Sequence, residues 1–301
     1  MLMYHRVLDA PEQETVFVQP GMYVRTETFR RHIAFLKNSF SVLSLWEIVS
    51  RIREGKSVGR CCAITFDDGW RDSYTRAFPV LKEFGVPATI FLATGFIGTN
   101  RLFWPEEFAY YLRLPEIREA ARQKSDVLDK TIQRLSGAGE GRILDECISA
   151  LKVLQAQERE ELLAYLRTIC QSPPPERLLL NWDEAGQMQE SGLVSFGGHT
   201  ADHVILDRVP KEKAEQEIMQ SCRDIKEHLG VRPDLFAYPN GNYNPEIKAL
   251  LEKHGIRGAV TTKKGWLTKQ TDLLEIPRIG MHEDVVRTIP LFLGRIFLKG
   301  F

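Results

Sequence analysis

The sequence predicts an α/β fold: a mostly parallel sheet, with a helical insertion in the middle of the chain. Short apolar runs alternate with amphipathic stretches over residues 1–98 and 178–301. That rhythm suits a parallel sheet, whose neighbouring strands need a crossover between them. Residues 99–177 lose the alternation and read as helices only. About seven core strands can be counted, and no internal repeat of about 20 to 50 residues is present.

Met1 to Val7 reads as a strand, and the polar, proline-containing stretch Asp9 to Gly21 as a loop. Thr26 to Asn38 sets Phe29, Ile33, Phe35 and Leu36 at amphipathic-helix spacing. Ser44-Leu45-Trp46-Glu47 is a capping box that opens a helix running to about Glu54 and stopping at Gly55. Cys61 to Phe66 is a short β-prone run, followed by a helix from about Ser73 to Phe84 and a buried strand from Val86 to Ala93. In the insertion, Glu106 to Leu114, Glu116 to Leu135 and Leu144 to Cys170 carry helical patterns around the glycine-rich Ser136 to Gly141. Pro173-Pro174-Pro175 closes it as a stiff spacer, and Trp104 at its entrance either anchors it or lines a sugar site. The insertion itself reads as a lid or as decoration that buries apolar area.

The alternation then resumes. Asn181 or Asp183 caps a helix to Gly192, Leu193 to Phe196 is a strand, and Lys211 to Leu229 is a charged helix. Leu235 to Tyr238 is a strand, Pro245 to His254 a helix, and Gly258 to Thr262 with Leu274 to Ile276 complete the sheet. The apolar tail Ile289 to Phe301, carrying Arg295 and Lys299, either covers the floor of the fold or lies in a membrane interface or partner groove.

Composition limits the partners. Lys plus Arg equals Asp plus Glu at 40 each, so no global field draws the chain to nucleic acid or anionic lipid. No apolar run reaches the ~18 residues of a membrane span, and no signal-peptide pattern precedes the first strand. Five cysteines, an odd number, fit a reducing compartment better than a disulfide framework, with adjacent Cys61 and Cys62 acting as apolar filler. The expected address is the cytoplasm, up to the inner face of the membrane. Oligomeric state is not legible.

Two motifs carry chemistry. The run Ala63-Ile64-Thr65-Phe66 ends in Asp67-Asp68-Gly69-Trp70. Adjacent carboxylates at a buried strand end repel unless a cation or proton sits between them, and alternation sends them to opposite sides. An Asp-Asp-Gly turn would look the same. His199-Thr200-Ala201-Asp202-His203 also follows an apolar run, after Gly197 and Gly198. Histidines four apart on a helical turn share a face and can hold one cation together with a carboxylate. Both motifs lie at strand ends, where α/β folds place their sites.

Together with Phe236-Ala237-Tyr238-Pro239-Asn240-Gly241, these motifs resemble the ordered motifs of the NodB-type polysaccharide deacetylases, carbohydrate esterase family 4. The resemblance spans Met1 to about Gly98 and about Leu178 to Ile279 and implies a distorted (β/α)7 barrel. It implies a divalent metal, zinc in first place, held by Asp68, His199 and His203, with Asp67 as general base. It also implies that the main-chain N–H at Tyr238 helps to hold the oxyanion. The arginine that many relatives carry before the Tyr-Pro element is absent; Arg278 is the candidate to brace Asp67 instead. A late histidine often protonates the leaving amine, and His282 is the late candidate, with His5, His228 and His254 read as structural or solvated. The implied reaction removes N-acetyl groups from an amino sugar in a polysaccharide or glycolipid precursor and releases acetate. A cyclic-amide hydrolase of the same fold and a non-catalytic carbohydrate-binding barrel are the competing readings.

Overall fold

The computed structural model describes residues 1–9, 17–171 and 177–298. The Pro173–Pro175 spacer, Lys299 and most of the Asp9–Gly21 loop lie outside them. The chain divides into two compact units: Met1–Asp9, Gly21–Thr99 and Arg177–Phe301 in one, Ala10–Pro20 and Asn100–Glu176 in the other.

The first unit is built on seven strands: β1 (Leu2–Tyr4), β2 (Ile64–Phe66), β3 (Ala88–Leu92), β4 (Val194–Gly198), β5 (Leu235–Ala237), β6 (Gly258–Val260) and β7 (Ile279–Gly280). Their order in the sheet is β6-β5-β4-β3-β2-β1-β7, and every pair is parallel. The stretch 276–280 touches both edges, since Ile276 bridges Val260 while Ile279 pairs with Leu2. The sheet therefore curls into the distorted barrel expected. All of β1, β2, β3, β5 and β6 is buried, as near-continuous apolar runs covered on both faces must be.

Several expected elements break where tertiary pairing overrides local preference. The first run splits at His5: Arg6–Leu8 leaves the barrel sheet to pair with Tyr23–Arg25. The Cys61–Phe66 run splits at Ala63, with Cys61–Cys62 pairing to Ser41–Val42. The strand expected at Leu274–Ile276 shrinks to a single bridge, because Pro277 has no N–H to continue the ladder. The helix expected from Ser73 starts as a π-helical turn, Ser73–Ala77, before the α-helix Phe78–Phe84.

Caps behave more locally. Ser44 Oγ accepts the Glu47 N–H at 3.1 Å, but the Glu47 carboxylate turns to Arg51 at 2.7 Å, so only half of the box forms. Asn181 and Glu184 close theirs in both directions, at 2.7 and 3.0 Å. The tail forms a helix, Ile289–Phe297, that packs on helix Thr26–Ser39: Phe292 is buried and stacks on His32 at 4.1 Å.

The second unit is helical: Trp104–Arg113, Pro115–Lys124, Asp126–Arg134, Glu140–Leu151 and Ala156–Ile169. Two expected helices are each cut in two, by the Ser125 cap and by the Gln155–Glu158 capping box. Phe108, Leu112, Leu144, Leu151, Leu163 and Leu166 form the centre of its core. Trp104 lies under the Arg159 guanidinium at 4.8 Å and edge-on to Phe108, which is the anchoring arrangement.

Candidate active site

β2 delivers the two carboxylates. The Asp67 N–H still donates to Tyr4 O at 3.2 Å, so Asp67 extends the sheet by one residue; Asp68 then turns the chain with φ +76°. Gly69 follows at φ +84°, where a Cβ would lie 2.8 Å from Leu92 Cδ2 and 2.9 Å from Ile97 Cδ1. No side chain fits there. β4 delivers His199, and Gly197 beneath it is packed so closely that a Cβ would meet the Phe91 ring at 2.6 Å and Leu235 O at 2.8 Å.

The histidines do not share a helical turn. Residues 199–203 are irregular, with Thr200 at φ +63° and His203 at φ +54°. The two left-handed residues fold the loop back so that its ends converge. A buried Glu217 pins it: Oε2 accepts the N–H groups of Ala201 and Asp202 at 3.0 and 2.8 Å, while Oε1 takes Lys213 Nζ at 2.6 Å. Of the five non-glycine residues at positive φ among the described residues, three are Asp68, Thr200 and His203. Backbone strain of about 1–3 kcal/mol per such residue is thus concentrated where the candidate ligands meet.

Asp68 Oδ1 lies 3.4 Å from His199 Nε2 and 3.3 Å from His203 Nε2, and the three ligand atoms fall within 4.8 Å of one another. His199 Nδ1 sits 2.7 Å from Ala237 O, which accepts only, so Nδ1 carries a proton and Nε2 is the atom turned to the carboxylate, where it can hold a cation once unprotonated. Trp70 Nε1–H donates to Asp68 Oδ2 at 2.8 Å and leaves Oδ1 open. Acceptors facing one another at this range need a shared positive charge, and two imidazoles plus one carboxylate suit a borderline divalent ion. The residues fit a metal site. Burial would raise the Asp68 pKa, yet the two imidazoles hold it well below the usual carboxylate range. Burial likewise opposes charge on His199, and the Asp68 contact with the charges of Asp67 and Asp68 outweighs it, pushing that pKa up. Trp70→Phe keeps the ring packing but removes the donor to Oδ2. Divalent-ion affinity is expected to fall by about 10–100-fold in chelator competition; unchanged affinity would show that Trp70 has no part in holding the ligand.

Asp67 faces a different partner. Arg278 Nη1 and Nη2 donate to its two oxygens at 2.7 and 2.6 Å, and the same guanidinium donates to Thr261 O at 2.9 Å and Thr65 Oγ1 at 3.1 Å. Both side chains are buried. Burial pushes the Asp67 pKa up, and the Arg278 charge and hydrogen bonds more than cancel this, so the carboxyl sits below its ordinary value.

Tyr238 is placed otherwise than the resemblance implies. Its N–H donates to Val260 O at 3.2 Å, extending the β5–β6 ladder by one bond, and is not free for an oxyanion. Its ring is buried against Tyr243, and its hydroxyl donates to Leu274 O at 2.9 Å.

His5, read from the sequence as structural or solvated, lies near the two carboxylates. The β1–β2 register pairs Tyr4 with Phe66, so the next residue, His5, stands level with Asp67. Burial lowers the His5 pKa; the charges of Asp68 and Asp67 oppose this, and those of Arg278 and His199 add to it. His5 therefore sits in the field of the whole cluster. His282 lies one strand further out, beyond β7, with Nδ1 buried and 3.9 Å from Asp284. Burial lowers its pKa, modified by Arg295, Asp284 and His5 but not by the two carboxylates of the cluster. The signal available for His5 was its position, the first residue after a strand, matching Asp67 and His199. Of the other histidines, His228 stacks on Trp182 at 4.3 Å and His254 pairs with Glu215 at 2.7 Å.

Comparison with known proteins agrees with this geometry. The family model described as Polysaccharide deacetylase matches residues 54–259. The poly-beta-1,6-N-acetyl-D-glucosamine N-deacetylase of Staphylococcus epidermidis is 23% identical over 275 residues, covering 88% of this chain and 70% of that protein. Among solved structures, the Streptococcus pyogenes deacetylase PplD in complex with acetate has a TM-score of 0.63 at 18% identity, covering 98% of this chain and 96% of that one. IcaB from Ammonifex degensii has a TM-score of 0.64 at 18% identity, covering 98% and 95%. At that identity the structures speak for the fold, while the family match spans more than half of the sequence. The chain belongs to the polysaccharide deacetylases of the NodB type, hydrolases of carbon–nitrogen bonds.

Proposed function

We propose that the protein removes N-acetyl groups from an amino sugar in a polysaccharide or glycolipid precursor, releasing acetate. The observation that carries this reading is the Asp68, His199 and His203 cluster with Asp67 ionised beside it. A divalent ion held there, zinc in first place, supplies Lewis acidity towards the acyl carbonyl and lowers the pKa of water. Asp67 is the general base. Arg278 occupies one lone pair on each of its oxygens and leaves others to take a proton from water. The same clamp fixes the plane of the carboxylate.

The proton for the leaving amine is assigned to His5 ahead of His282, because His5 stands level with Asp67 and feels both carboxylates. His5→Ala is expected to lower kcat by about 10²–10⁴-fold with ion affinity retained, whereas His282→Ala changes it little. The reverse pattern in steady-state kinetics would return the role to His282. The odd number of cysteines, five, supports a reducing compartment such as the cytoplasm.

The name of the Staphylococcus epidermidis relative makes β-1,6-linked N-acetylglucosamine oligomers the first substrate to try. Acetate release from them, abolished by chelation and restored by zinc, tests the reading. Absence of release from these and from other N-acetylated sugar polymers, with metal bound, would defeat it.

A further inference from the structure

The barrel unit carries an exposed apolar cluster on basic segments of the chain. Trp266, in the loop after β6, is 55% exposed, and Phe297 and Leu298, at the end of helix Ile289–Phe297, are 53% and 56% exposed. The Trp266 and Phe297 rings meet at 5.4 Å, and Lys264 Nζ donates to Leu298 O at 3.2 Å, so loop and helix end form one surface. Six large apolar side chains are exposed among the described residues, and this patch holds three of them. The others, Val153, Met219 and Val231, lie in separate helices or loops.

The segments that form the patch are basic although the chain as a whole is balanced. Residues 263–271 contain Lys263, Lys264 and Lys269 and no acid, and Arg295 precedes Phe297 by two residues in a helix without acids. Lys263 turns to the Tyr243 hydroxyl at 2.6 Å, while Lys264 and Lys269 are exposed beside Trp266. The loop is rooted at the site: Thr261 O and Lys263 O accept from Arg278 Nε and Arg278 N–H, both at 2.9 Å. Beyond that root the loop turns away, and Leu267, next to Trp266, packs against the cluster of Leu45, Ile48, Val49 and Ala63.

We infer that this surface docks on an anionic bilayer. Trp and Phe side chains favour the headgroup boundary, and flanking cations favour acidic lipid. A sugar platform would pair the ring with hydrogen-bonding side chains, whereas Trp266 is joined by Phe297 and Leu298. A protein partner would need about 20–30 residues on this side, far more than the patch offers. Docking is peripheral, since no described helix is long and apolar enough to cross a membrane. Lipid binding does not depend on acyl hydrolysis, so this inference and the deacetylase reading fail separately.

The test is flotation of the full chain with vesicles of phosphatidylcholine, alone or mixed with phosphatidylglycerol. The protein is expected to float with the mixed vesicles at low salt, to be released by high salt, and to ignore pure phosphatidylcholine. Trp266→Ser with Phe297→Ser, and separately Lys264→Glu with Lys269→Glu, are expected to lower the partition by more than about tenfold, each cation contributing roughly fivefold. Unshifted thermal midpoints would show that both variants are folded. No flotation of the parent with mixed vesicles, or equal flotation of both variants, would overturn the inference. A parent dimer in sedimentation velocity that Trp266→Ser with Phe297→Ser dissolves would overturn it too, assigning the patch to a second copy of the chain.

Discussion

Arg278→Ala is expected to destabilise the fold by about 3–5 kcal/mol at neutral pH and to lower kcat sharply. Arg278 is wholly buried, as is the Asp67 carboxylate it clamps. Truncating the guanidinium leaves a charged carboxylate in a site that already penalises charge, since burial is the largest influence on its pKa and acts upwards. The pH dependence follows in sign. In the parent, the depressed pKa of Asp67 contributes stability above the unfolded value of ~3.9, and that contribution is lost as pH falls through the folded value. In the variant the folded pKa rises instead, so the penalty is largest at neutral pH and disappears once Asp67 is protonated in both states. Urea unfolding should therefore show the gap narrowing as pH falls towards ~4 and closing only below that, through the depressed folded pKa of Asp67 in the parent. A constant gap across that range would mean that Arg278 acts through packing alone. Replacing both partners, Asp67→Leu with Arg278→Met, should recover much of the stability and none of the activity.

Asp67→Asn is expected to reduce kcat by about 10²–10⁴-fold with divalent-ion binding kept, because Asp67 is not among the three atoms that converge. The amide cannot take a proton from water, and its NH₂ faces an Arg278 donor, so some stability is lost as well. Turnover must be normalised to folded protein by circular dichroism. Activity within a few-fold of the parent would remove Asp67 from the role of base, and the loss of bound metal would make it a ligand.

The parts legible in the sequence were those set by burial on both faces. β3, β5 and β6 lie within the expected apolar runs because a strand covered on both faces tolerates little else, whereas β4 runs two glycines past the expected end at Phe196. Helix Lys211–Leu229 ends where expected because Gly230 adopts φ +73°, a local requirement. What was not legible depended on long-range geometry. Periodicity treats residues 199–203 as a helical turn and cannot register the positive φ of Thr200 and His203 or the remote carboxylate of Glu217. Whether the Tyr238 N–H is free depends on Val260, 22 residues downstream. His5 looks like a mid-strand residue until β1 is seen to end at Tyr4. Arg278 could be named as the brace of Asp67, but its second pair of contacts, to Thr65 and Thr261, emerges only when the barrel is closed.

Calorimetric titration of zinc into chelator-stripped protein tests the central claim most directly. The account predicts one ion per chain for the parent and loss of that binding in each of Asp68→Asn, His199→Ala and His203→Ala. Parent-like affinity in these variants, or no binding by the parent, would contradict it.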